Sequence, residues 1–473
     1  MQSGLIGTEW SKWSYGTFVK AEVDFLLYWF SSNYCRNSYV RFATVFVRVH
    51  AAPSIRGFMS SAAWRAWHAI GSPRRLAAPM VDASDAAFRM LCREFGCDLA
   101  YTPMLNARLM VEEPAYRYRH FDPTGAEDRP MVAQFAGHDA DTLVRAAELC
   151  TPHVDGVDLN LGCPQEIARK GRYGAFLIED EPEIALECTR ALCESTAPMV
   201  SVKMRLQPTR ERTIDTALRL QECGIGALTV HGRNRLHTSR QLGIGPADWD
   251  AIGELVSLLD IPVIANGGIQ SQSCVESCFK RTGAAAIMVA EALLENPALF
   301  SANRRPSISL ELQGADVKAE TRPTNDDALT SVYVDQNMLA LRYLQQCERF
   351  PPRKGVAVVK AHLRRMLHAG WQQWPDLQDE LYVASDIETA SLVVHRLAAR
   401  GWDQPGFHTI SEHLSRSWYK RRLSAECWPD TVKSASDEDA HKAAWRTRYR
   451  AKSASKRHGA ARKRLARELR SAG

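Results

Sequence analysis

Residues 154–165, Val-Asp-Gly-Val-Asp-Leu-Asn-Leu-Gly-Cys-Pro-Gln, decide how the rest of this 473-residue chain is interpreted. The apolar run between Gly156 and Gly162 is typical of a buried strand that ends abruptly. Cys163 opens the following loop, where Gly162 permits unusual backbone torsions and Pro164 disfavours helix for the residue before it. The pattern predicts a thiol at a strand tip, although a free cysteine is often only a small buried hydrophobic residue.

Residues 73–302 repeat one pattern, in which a short apolar run is followed by an amphipathic helical stretch. Eight strands with helical crossovers over roughly 225 residues are typical of a parallel (β/α)8 barrel, the TIM barrel of the α/β class. A doubly wound open sheet is the alternative. Ser84 is the candidate N-cap of the first helix. The apolar runs occupy residues 76–81, 98–103, 131–136, 157–161, 199–205, 227–231, 262–266 and 285–290.

Polar or catalytically useful side chains stand at the same end of most of these runs. In a (β/α)8 barrel the carboxyl ends of the strands meet at one mouth, and the active site lies there. We therefore expect a single site at that mouth. It would combine Met80 and Asp82, Gln134, Asn160 and Cys163, Lys203 and Arg205, His231 and Arg233, and Asn266 with Gly267 and Gly268.

The residues at this mouth suit a flavin phosphate and ring. Asn266, Gly267 and Gly268 offer backbone N–H groups where this fold usually binds phosphate, although glycine pairs also close ordinary turns. Lys203 can stabilise the reduced anionic ring, and the Gln134 amide can bind the ring edge. The sequence contains neither a GxGxxG fingerprint nor a P-loop, so no Rossmann or Walker site competes. FMN is therefore the predicted cofactor.

Composition limits the remaining possibilities. Twelve cysteines occur without a CxxC pair, which favours a reduced intracellular protein over a disulfide framework or a zinc site, so we expect no metal. The apolar run at 25–30 is too short to span a bilayer, which needs about 20 residues. The net charge of +6 is concentrated near the end of the chain, which indicates a polyanionic partner.

Four further segments flank the barrel. Residues 1–72 form an extension of unknown role, and residues 303–325 are rich in Ser, Pro and charge, as a linker would be. Residues 326–425 keep only helical periodicity, with basic residues on one stretch, and predict a small all-α domain that binds RNA. Residues 426–473 form a basic tail that we expect to be disordered, because it buries little apolar surface. Such a tail serves nuclear localisation, solubility or direct RNA contact.

Several segments together resemble the tRNA-dihydrouridine synthases. The resemblance extends from about residue 71 to residue 300, less clearly to residue 371, and the order of the motifs makes it specific. Val81-Asp82 and Ala290-Glu291, near Asn296-Pro297, resemble the eukaryotic branch that acts on positions 16 and 17 of the D-loop. The motifs are Ala-Pro-Met-Val-Asp at 78–82, Tyr-Thr-Pro-Met at 101–104, Asp-Leu-Asn-Leu-Gly-Cys-Pro-Gln at 158–165, Lys-Met-Arg at 203–205, Thr-Val-His-Gly-Arg at 229–233 and Ala-Asn-Gly-Gly-Ile at 265–269.

The resemblance implies a role for each matching residue. Cys163 would be the general acid that protonates C5 of uracil while the reduced flavin delivers hydride to C6, and Asn160 and Arg205 would face the uracil. NADPH or NADH would supply the electrons, and tRNA would be the partner of a cytoplasmic or nuclear protein, which we expect to be a monomer without membrane attachment. The residues implied to bind FMN are Pro79, Met80, Val81, Gln134, Lys203, His231, Asn266, Gly267, Gly268, Ala290 and Glu291.

One position departs from the family pattern. Many members carry Gly-Arg after the eighth strand, whereas this chain has Ala290 and Glu291. A carboxylate beside a phosphate is electrostatically unfavourable. Either backbone N–H groups alone make that contact, with the Glu291 side chain turned away, or FMN binds more weakly than the motif indicates.

Two other functions fit part of the sequence. An FMN barrel that reduces a free pyrimidine or an enone would share the flavin residues but has no need of a basic helical domain. A non-enzymatic RNA-binding scaffold would keep the basic segments but does not require Cys163, Lys203 and Asn266 together. Activity on free uridine separates the first alternative, and the absorption spectrum of a bound flavin separates the second.

Overall fold

The computed structural model describes residues 61–236, 245–301 and 335–402, together with Trp418. The predicted linker at 303–325, the predicted tail at 426–473 and residues 1–60 of the predicted extension lie outside these described residues. No helix in the described part of the chain is both long and apolar enough to cross a membrane.

The described strands form one closed parallel barrel. The first strand pairs in parallel with both the second and the last, and the second also pairs with the fourth, which closes the sheet. All eight predicted apolar runs contain a strand, so the predicted (β/α)8 barrel is confirmed and the open sheet is wrong. The strands are β1 Arg75–Ala77, β2 Leu99–Tyr101, β3 Leu105–Asn106, β4 Met131–Ala136, β5 Gly156–Leu161, β6 Val200–Arg205, β7 Ala227–His231, β8 Val263–Asn266 and β9 Ala286–Val289.

The second barrel position holds two short strands instead of one. β2 pairs with the first half of β4 and β3 with its end, and residues 102–104 interrupt them. Pro103 lies in this gap, where it cannot donate a backbone hydrogen bond. The Thr102 hydroxyl takes part instead, since Oγ1 accepts from Gln134 N at 3.2 Å and donates to Pro103 O at 2.9 Å. The interruption therefore helps to hold the backbone of Gln134.

Helices surround the barrel and continue beyond it. Two 3-10 helices, Ala126–Asp128 and Thr151–His153, lie in barrel connections. The α-helices are α1 Ala62–Ala69, α2 Ala86–Glu94, α3 Ala107–Glu112, α4 Pro114–His120, α5 Ala140–Cys150, α6 Glu166–Lys170, α7 Ala175–Asp180, α8 Pro182–Glu194, α9 Arg210–Glu222, α10 Trp249–Leu258, α11 Gln272–Thr282, α12 Glu291–Glu295, α13 Gln336–Arg349, α14 Val356–Met366, α15 His368–Gln373, α16 Pro375–Val383 and α17 Ile387–Arg400.

Helix α2 begins one residue later than the sequence predicts. The N-cap is Asp85, whose carboxylate accepts a hydrogen bond from Phe88 N at 3.3 Å. The predicted cap, Ser84, instead closes the loop after β1, because its Oγ accepts from Met80 N at 2.9 Å and donates to Ala78 O at 3.0 Å. Both residues are good N-caps, and the tertiary contacts of Ser84 decide between them.

An apolar cluster fills the amino-terminal end of the barrel, and a tryptophan from α1 closes it. Trp67 is 2% exposed. It clusters with Met199 and Ala227, which lie where β6 and β7 begin, so it covers the amino-terminal end of the barrel. Helix α1 belongs to the segment that the sequence analysis assigned to an extension of unknown role. The interior side chains in this cluster are Leu76, Leu99, Tyr101, Val132, Ile264, Ala286 and Met288.

Helices α13 to α17 form the predicted all-α domain and pack against α2. The ion pairs across this junction include Arg342 with Glu94 at 2.9 Å, His362 with Asp85 at 2.8 Å, and Lys354 with Asp82 at 2.6 Å. Leu392 lies in the apolar pattern of α17 but is 58% exposed. The buried stripes are Leu339, Ala340, Tyr343, Leu344 and Cys347 of α13, Val358, Val359, Leu363 and Met366 of α14, and Val393, Val394 and Leu397 of α17.

Replacing Trp67 by alanine should open the amino-terminal end of the barrel. We expect the free energy of unfolding to fall by about 3–5 kcal/mol, the usual loss for truncating a buried aromatic residue. The matched control is Trp64→Ala on the same helix, which removes only a partly buried ring and should cost clearly less. Urea unfolding measures both variants. Equal losses would show that Trp67 does not seal the barrel.

Candidate functional site at the barrel mouth

Strand register brings the predicted residues together. From β4 through β8, the predicted site residues of one strand are register partners of residues on the next strand. The polar ends of these strands therefore form an arc around one mouth of the barrel. The direct partners are Gln134 and Asp158, Asn160 and Lys203, Arg205 and His231, and His231 and Asn266. Pairing with Met288 then carries the arc from Asn266 to β9.

A buried hydrogen-bond network orients Gln134. Its Nε2 donates to Asp158 Oδ2 at 2.8 Å, and its Oε1 accepts from Asn160 Nδ2 at 3.2 Å. An amide can make four hydrogen bonds, so both ends of Gln134 keep capacity for a ligand. The network therefore presents the amide in one fixed orientation.

Asp158 lies beneath this amide and was not among the predicted site residues. It is fully buried, and burial raises the pKa of its carboxyl to about 6 despite hydrogen bonds from Ser201 and Gln134. Ser201 Oγ donates to Asp158 Oδ1 at 2.6 Å. Its place in the strand, two residues before Asn160, was the available signal, because alternate residues of a strand point to the same side.

Asn160 holds the loop that carries Cys163. Its Oδ1 accepts hydrogen bonds from the backbone N–H groups of Gly162 and Cys163, both at 3.0 Å. Its Nδ2 donates to Gln134 and, at 3.0 Å, to the sulfur of Met104. A thioether is a weak acceptor, so a substrate can most easily replace Met104 as the hydrogen-bond acceptor of that Asn160 N–H. The structure thus gives Asn160 a positioning role in addition to its predicted contact with uracil.

Gly174 packs directly on the backbone of Cys163. Its φ is +70°, and a Cβ added there would lie 2.6 Å from Cys163 O and 2.9 Å from Cys163 Cβ. Gly174 N donates to Asn160 O at 3.2 Å, and Ala175 N donates to Cys163 O at 3.0 Å. Only glycine meets both demands, a positive φ and this close approach. The sequence analysis missed this residue.

The Cys163 thiol is half-buried at this loop. Burial raises its pKa, although a backbone N–H at Gln165 and the charges of Arg205 and Lys203 pull in the opposite direction. The thiol is therefore protonated at neutral pH. A protonated, partly accessible thiol is what a proton donor requires.

Lys203 and Arg205 bring positive charge to the same mouth. Burial and then repulsion from Arg205 lower the pKa of Lys203 to about 8. Burial and repulsion from Arg233 lower the pKa of Arg205 to about 10, so it stays charged at neutral pH. Arg205 Nε donates to Gly162 O at 2.8 Å, which ties it to the Cys163 loop. A partly buried amine with a lowered pKa indicates a site built for an anionic ligand.

His231 and the two glycines form a compact cradle at the ends of β7 and β8. Gly267 and Gly268 have φ values of +100° and +78°, and a Cβ at Gly267 would lie 2.6 Å from the ring of His231. Arg233 Nη1 lies 3.1 Å from His231 Nε2. Arg233 is buried, and its Nη2 has no hydrogen-bond partner in the described residues. Asn266 supports the cradle, since its Nδ2 donates to Met288 O at 2.8 Å.

The remaining predicted cofactor residues lie at the ends of β1 and β9. Pro79 and Met80 are partly buried in the loop after β1, whereas Val81 is 54% exposed. Ala290 follows β9, and Glu291 begins α12 and is partly buried. These loops are neighbours because β1 pairs with β9. Across the described residues, no group of three or more His, Cys, Asp or Glu side chains could hold a metal ion.

This arrangement is that of a (β/α)8-barrel enzyme whose chemistry takes place at the strand tips. Residues 75–322, which make up more than half of the chain, match the family model of the dihydrouridine synthases. The chain belongs to the dihydrouridine synthase family.

Curated relatives agree with this assignment. A rat protein named tRNA-dihydrouridine(16/17) synthase [NAD(P)(+)]-like is 34% identical over 351 residues, 74% of this chain and 71% of that protein. The Schizosaccharomyces pombe tRNA-dihydrouridine(16/17) synthase [NAD(P)(+)] is 39% identical over 52% of this chain and 61% of its own length. A mouse tRNA-dihydrouridine(20a/20b) synthase [NAD(P)+]-like is 37% identical over 52% of this chain and 75% of its own length.

Gly174→Ala should displace the Cys163 loop. We expect a loss of stability larger than the roughly 1–2 kcal/mol that a positive φ costs an L-residue, because the new methyl group also meets Cys163 O. The rate at which iodoacetamide alkylates Cys163 should change as well. Gly125→Ala is the matched control, since Gly125 has a φ of +90° and nothing within 4 Å of its added Cβ. If both variants behave alike, the contact with Cys163 does not matter.

Proposed function

We propose that this chain is an FMN-dependent tRNA-dihydrouridine synthase that reduces the C5–C6 bond of a D-loop uridine with electrons from NADPH or NADH. The observation that carries the proposal is the protonated Cys163 thiol, held by Asn160 and Gly174 beside the Lys203 amine. Family membership supplies the reaction class. The full activity is a proposal, because the chain spans only part of the length of its relatives, 61% in the S. pombe protein.

The mouth fits FMN by its own chemistry. The Gly267 and Gly268 cradle leaves no room for a side chain, the buried Nη2 of Arg233 lacks a partner among the described residues, and Lys203 is a partly buried amine with a lowered pKa. When bound, FMN supplies the hydride for C6 of uracil. The residues that would hold it are Pro79, Met80, Val81, Gln134, Lys203, His231, Asn266, Gly267, Gly268, Ala290 and Glu291.

The residues of this chain would do three things for the reaction. Cys163 holds the proton for C5 on its Sγ, Asn160 and Arg205 fix the Cys163 loop and face the uracil, and Gln134 fixes the ring edge of the cofactor. The lowered pKa of Lys203 shows that its ammonium form is destabilised at the barrel mouth. An anion bound beside it would stabilise that form, so the site favours an anionic ligand.

The substrate would be a uridine in folded tRNA, which must leave its stack before its face can reach the barrel mouth. Residues 326–425 would hold the RNA, and the protein would act in the cytoplasm or nucleus as a monomer. Reduction at positions 16 and 17 is favoured, because over similar lengths the S. pombe 16/17 relative is 39% identical and the mouse 20a/20b relative 37%, and the rat 16/17 match extends to 351 residues.

Replacing Cys163 by alanine should slow uracil reduction by about 10²- to 10⁴-fold, the usual cost of losing a general acid. Flavin content and flavin reduction by NADPH should persist. The matched control is Cys193→Ala, which removes another half-buried cysteine, on α8. Mass spectrometry measures the dihydrouridine that each enzyme forms from tRNA and from free uridine as separate substrates. If the wild-type protein reduces free uridine, a pyrimidine reductase is supported instead. If Cys163→Ala reduces tRNA at the wild-type rate, the thiol has no part in the mechanism.

Replacing Lys203 by methionine should separate stability from cofactor binding. Because the folded pKa of Lys203 is about 8 and its ordinary value is 10.5, the charged amine destabilises the apoprotein below pH 8, by at most about 3 kcal/mol. That cost disappears as the pH rises toward 10.5. Lys203→Met should therefore stabilise the apoprotein more at pH 7 than at pH 9.5, while FMN binds more weakly. Thermal unfolding at both pH values and flavin fluorescence titration measure the two effects, and unchanged FMN affinity would contradict the assignment.

A further inference from the structure

Helix α4 lies on the rim of the barrel mouth, between the Cys163 loop and the helical domain. The hydroxyl of Tyr116 accepts a hydrogen bond from Asn106 N at 3.0 Å, which ties α4 to the carboxyl end of β3. At the other end of α4, Arg353 from the loop before α14 donates to Tyr118 O at 2.9 Å and to Phe121 O at 2.8 Å. One end of the helix is therefore held by the barrel and the other by the helical domain. A large substrate that contacts both parts would pass over it.

Tyr118 presents an aromatic ring to solvent on this rim. The side chain is 65% exposed, and the guanidinium carbon of Arg353 lies 4.8 Å from the ring centroid. The same guanidinium group is held by the two backbone carbonyls, so the ring has a fixed cationic support beneath it. A single exposed aromatic residue is ordinary on a protein surface, but a ring that is held by a cation and surrounded by further cations is a suitable stacking surface.

The arginines of this rim lack acidic partners. Arg117 donates from Nη1 to Met110 O at 2.7 Å, and Arg119 donates from Nε to Ala115 O at 3.2 Å. In the described part of the chain neither of these two residues, nor Arg353, forms an ion pair with a carboxylate, although many other arginines of the barrel do. These arginines bond only to neutral carbonyl groups, so their full charge remains available to an anion.

The carboxylates that line the cleft beside α4 do not cancel this charge, because each already contacts a basic side chain. The cleft that adjoins α4 is lined in part by Asp82, Asp85 and Asp122. These are paired with Lys354 at 2.6 Å, with His362 at 2.8 Å and with Arg89 at 2.9 Å, respectively. Among the described residues, the rim thus holds three arginines without a carboxylate partner against one acid without an ion pair, Glu113 at the N-cap of α4, so positive charge is in excess.

We propose that α4 binds the nucleotide next to the target uridine, with its base stacked on Tyr118 and its phosphate bound by Arg119, which lines the same cleft as Arg353. The proposal rests on the proposed tRNA substrate. When a uridine leaves its stack, the neighbouring base loses a stacking partner, and an aromatic side chain at the mouth can replace it. Arginines that lack carboxylate partners suit the phosphate of that nucleotide. Helix α4 would then contribute to the choice of uridine.

Three variants and one control test this stacking platform, the surface that Tyr118 and Arg119 form on α4. Tyr118→Ala should raise the Kd for tRNA by about 5- to 100-fold, as expected for the loss of one base–aromatic stack, while Tyr118→Phe should stay within about twofold of wild type. Arg119→Gln should weaken binding and reduce the slope of log Kd against log salt by about 0.7, the value for one phosphate of a single strand. Arg145→Gln, an exposed arginine on the outer helix α5, should leave the affinity and the slope unchanged.

The outcomes separate this proposal from the proposed function. If wild-type protein forms dihydrouridine but Tyr118→Ala binds tRNA with wild-type affinity, the platform is refuted while the enzyme assignment stands. A Tyr118→Phe variant as weak as Tyr118→Ala would also refute stacking, because the hydroxyl would then be the important group. Unfolding temperature and bound-flavin content of each variant, matched to wild type, support a direct role in binding, and a loss of either would indicate a structural role and overturn the proposal.

Discussion

The side-chain amide of Asn160 is the interaction on which the site depends. Its oxygen accepts the two backbone N–H groups of Gly162 and Cys163, and its nitrogen meets Gln134. One residue of β5 therefore sets both the position of the thiol and the orientation of the amide that would bind the cofactor ring. Gly174 closes the loop from the opposite side. A general acid acts only over hydrogen-bond distances, so in the proposed function this local geometry would position the Cys163 proton.

A second constraint joins the barrel to the helical domain at the start of α2. Asp85 caps α2 and also contacts His362, whose ring is fully buried and stacks on Phe88 with centroids 4.5 Å apart. Burial opposes ionisation of Asp85, but attraction to His362 and Arg89 holds its pKa below the ordinary value. The pair Asp82–Lys354 adds a link to the loop that carries Met80. The helical domain is thus anchored where the barrel would hold its cofactor, so RNA on those helices would lie close to the reacting centre.

The differences between expectation and structure arise where two residues satisfy the same local rule. Ser84 and Asp85 are both good N-caps, and only the contacts of Ser84 with the loop after β1 leave Asp85 for the helix. Leu392 and Val394 are both apolar residues of α17 that the helical sequence pattern could place in the core. In the structure Val394 is buried and Leu392 is exposed. Helical periodicity defines a stripe only to within about one residue, so the packing partner makes the final choice.

The sequence by itself predicted eight parallel strands, the strand ends that carry the polar side chains and the candidate residues Cys163, Lys203 and Asn266, because strand periodicity and the residues at strand ends are local properties of the chain. It left an open sheet as the alternative, and the pairing of β1 with β9 closed the barrel. The tertiary structure alone decided that Gly174 packs on Cys163 and that Asp158 sets the Gln134 amide. It also decided that, within the described ranges, Arg119 has no carboxylate partner whereas Arg89 has two. Such facts depend on atoms that are far apart in sequence, since charge pairing and close packing act through space and leave no periodic signal along the chain.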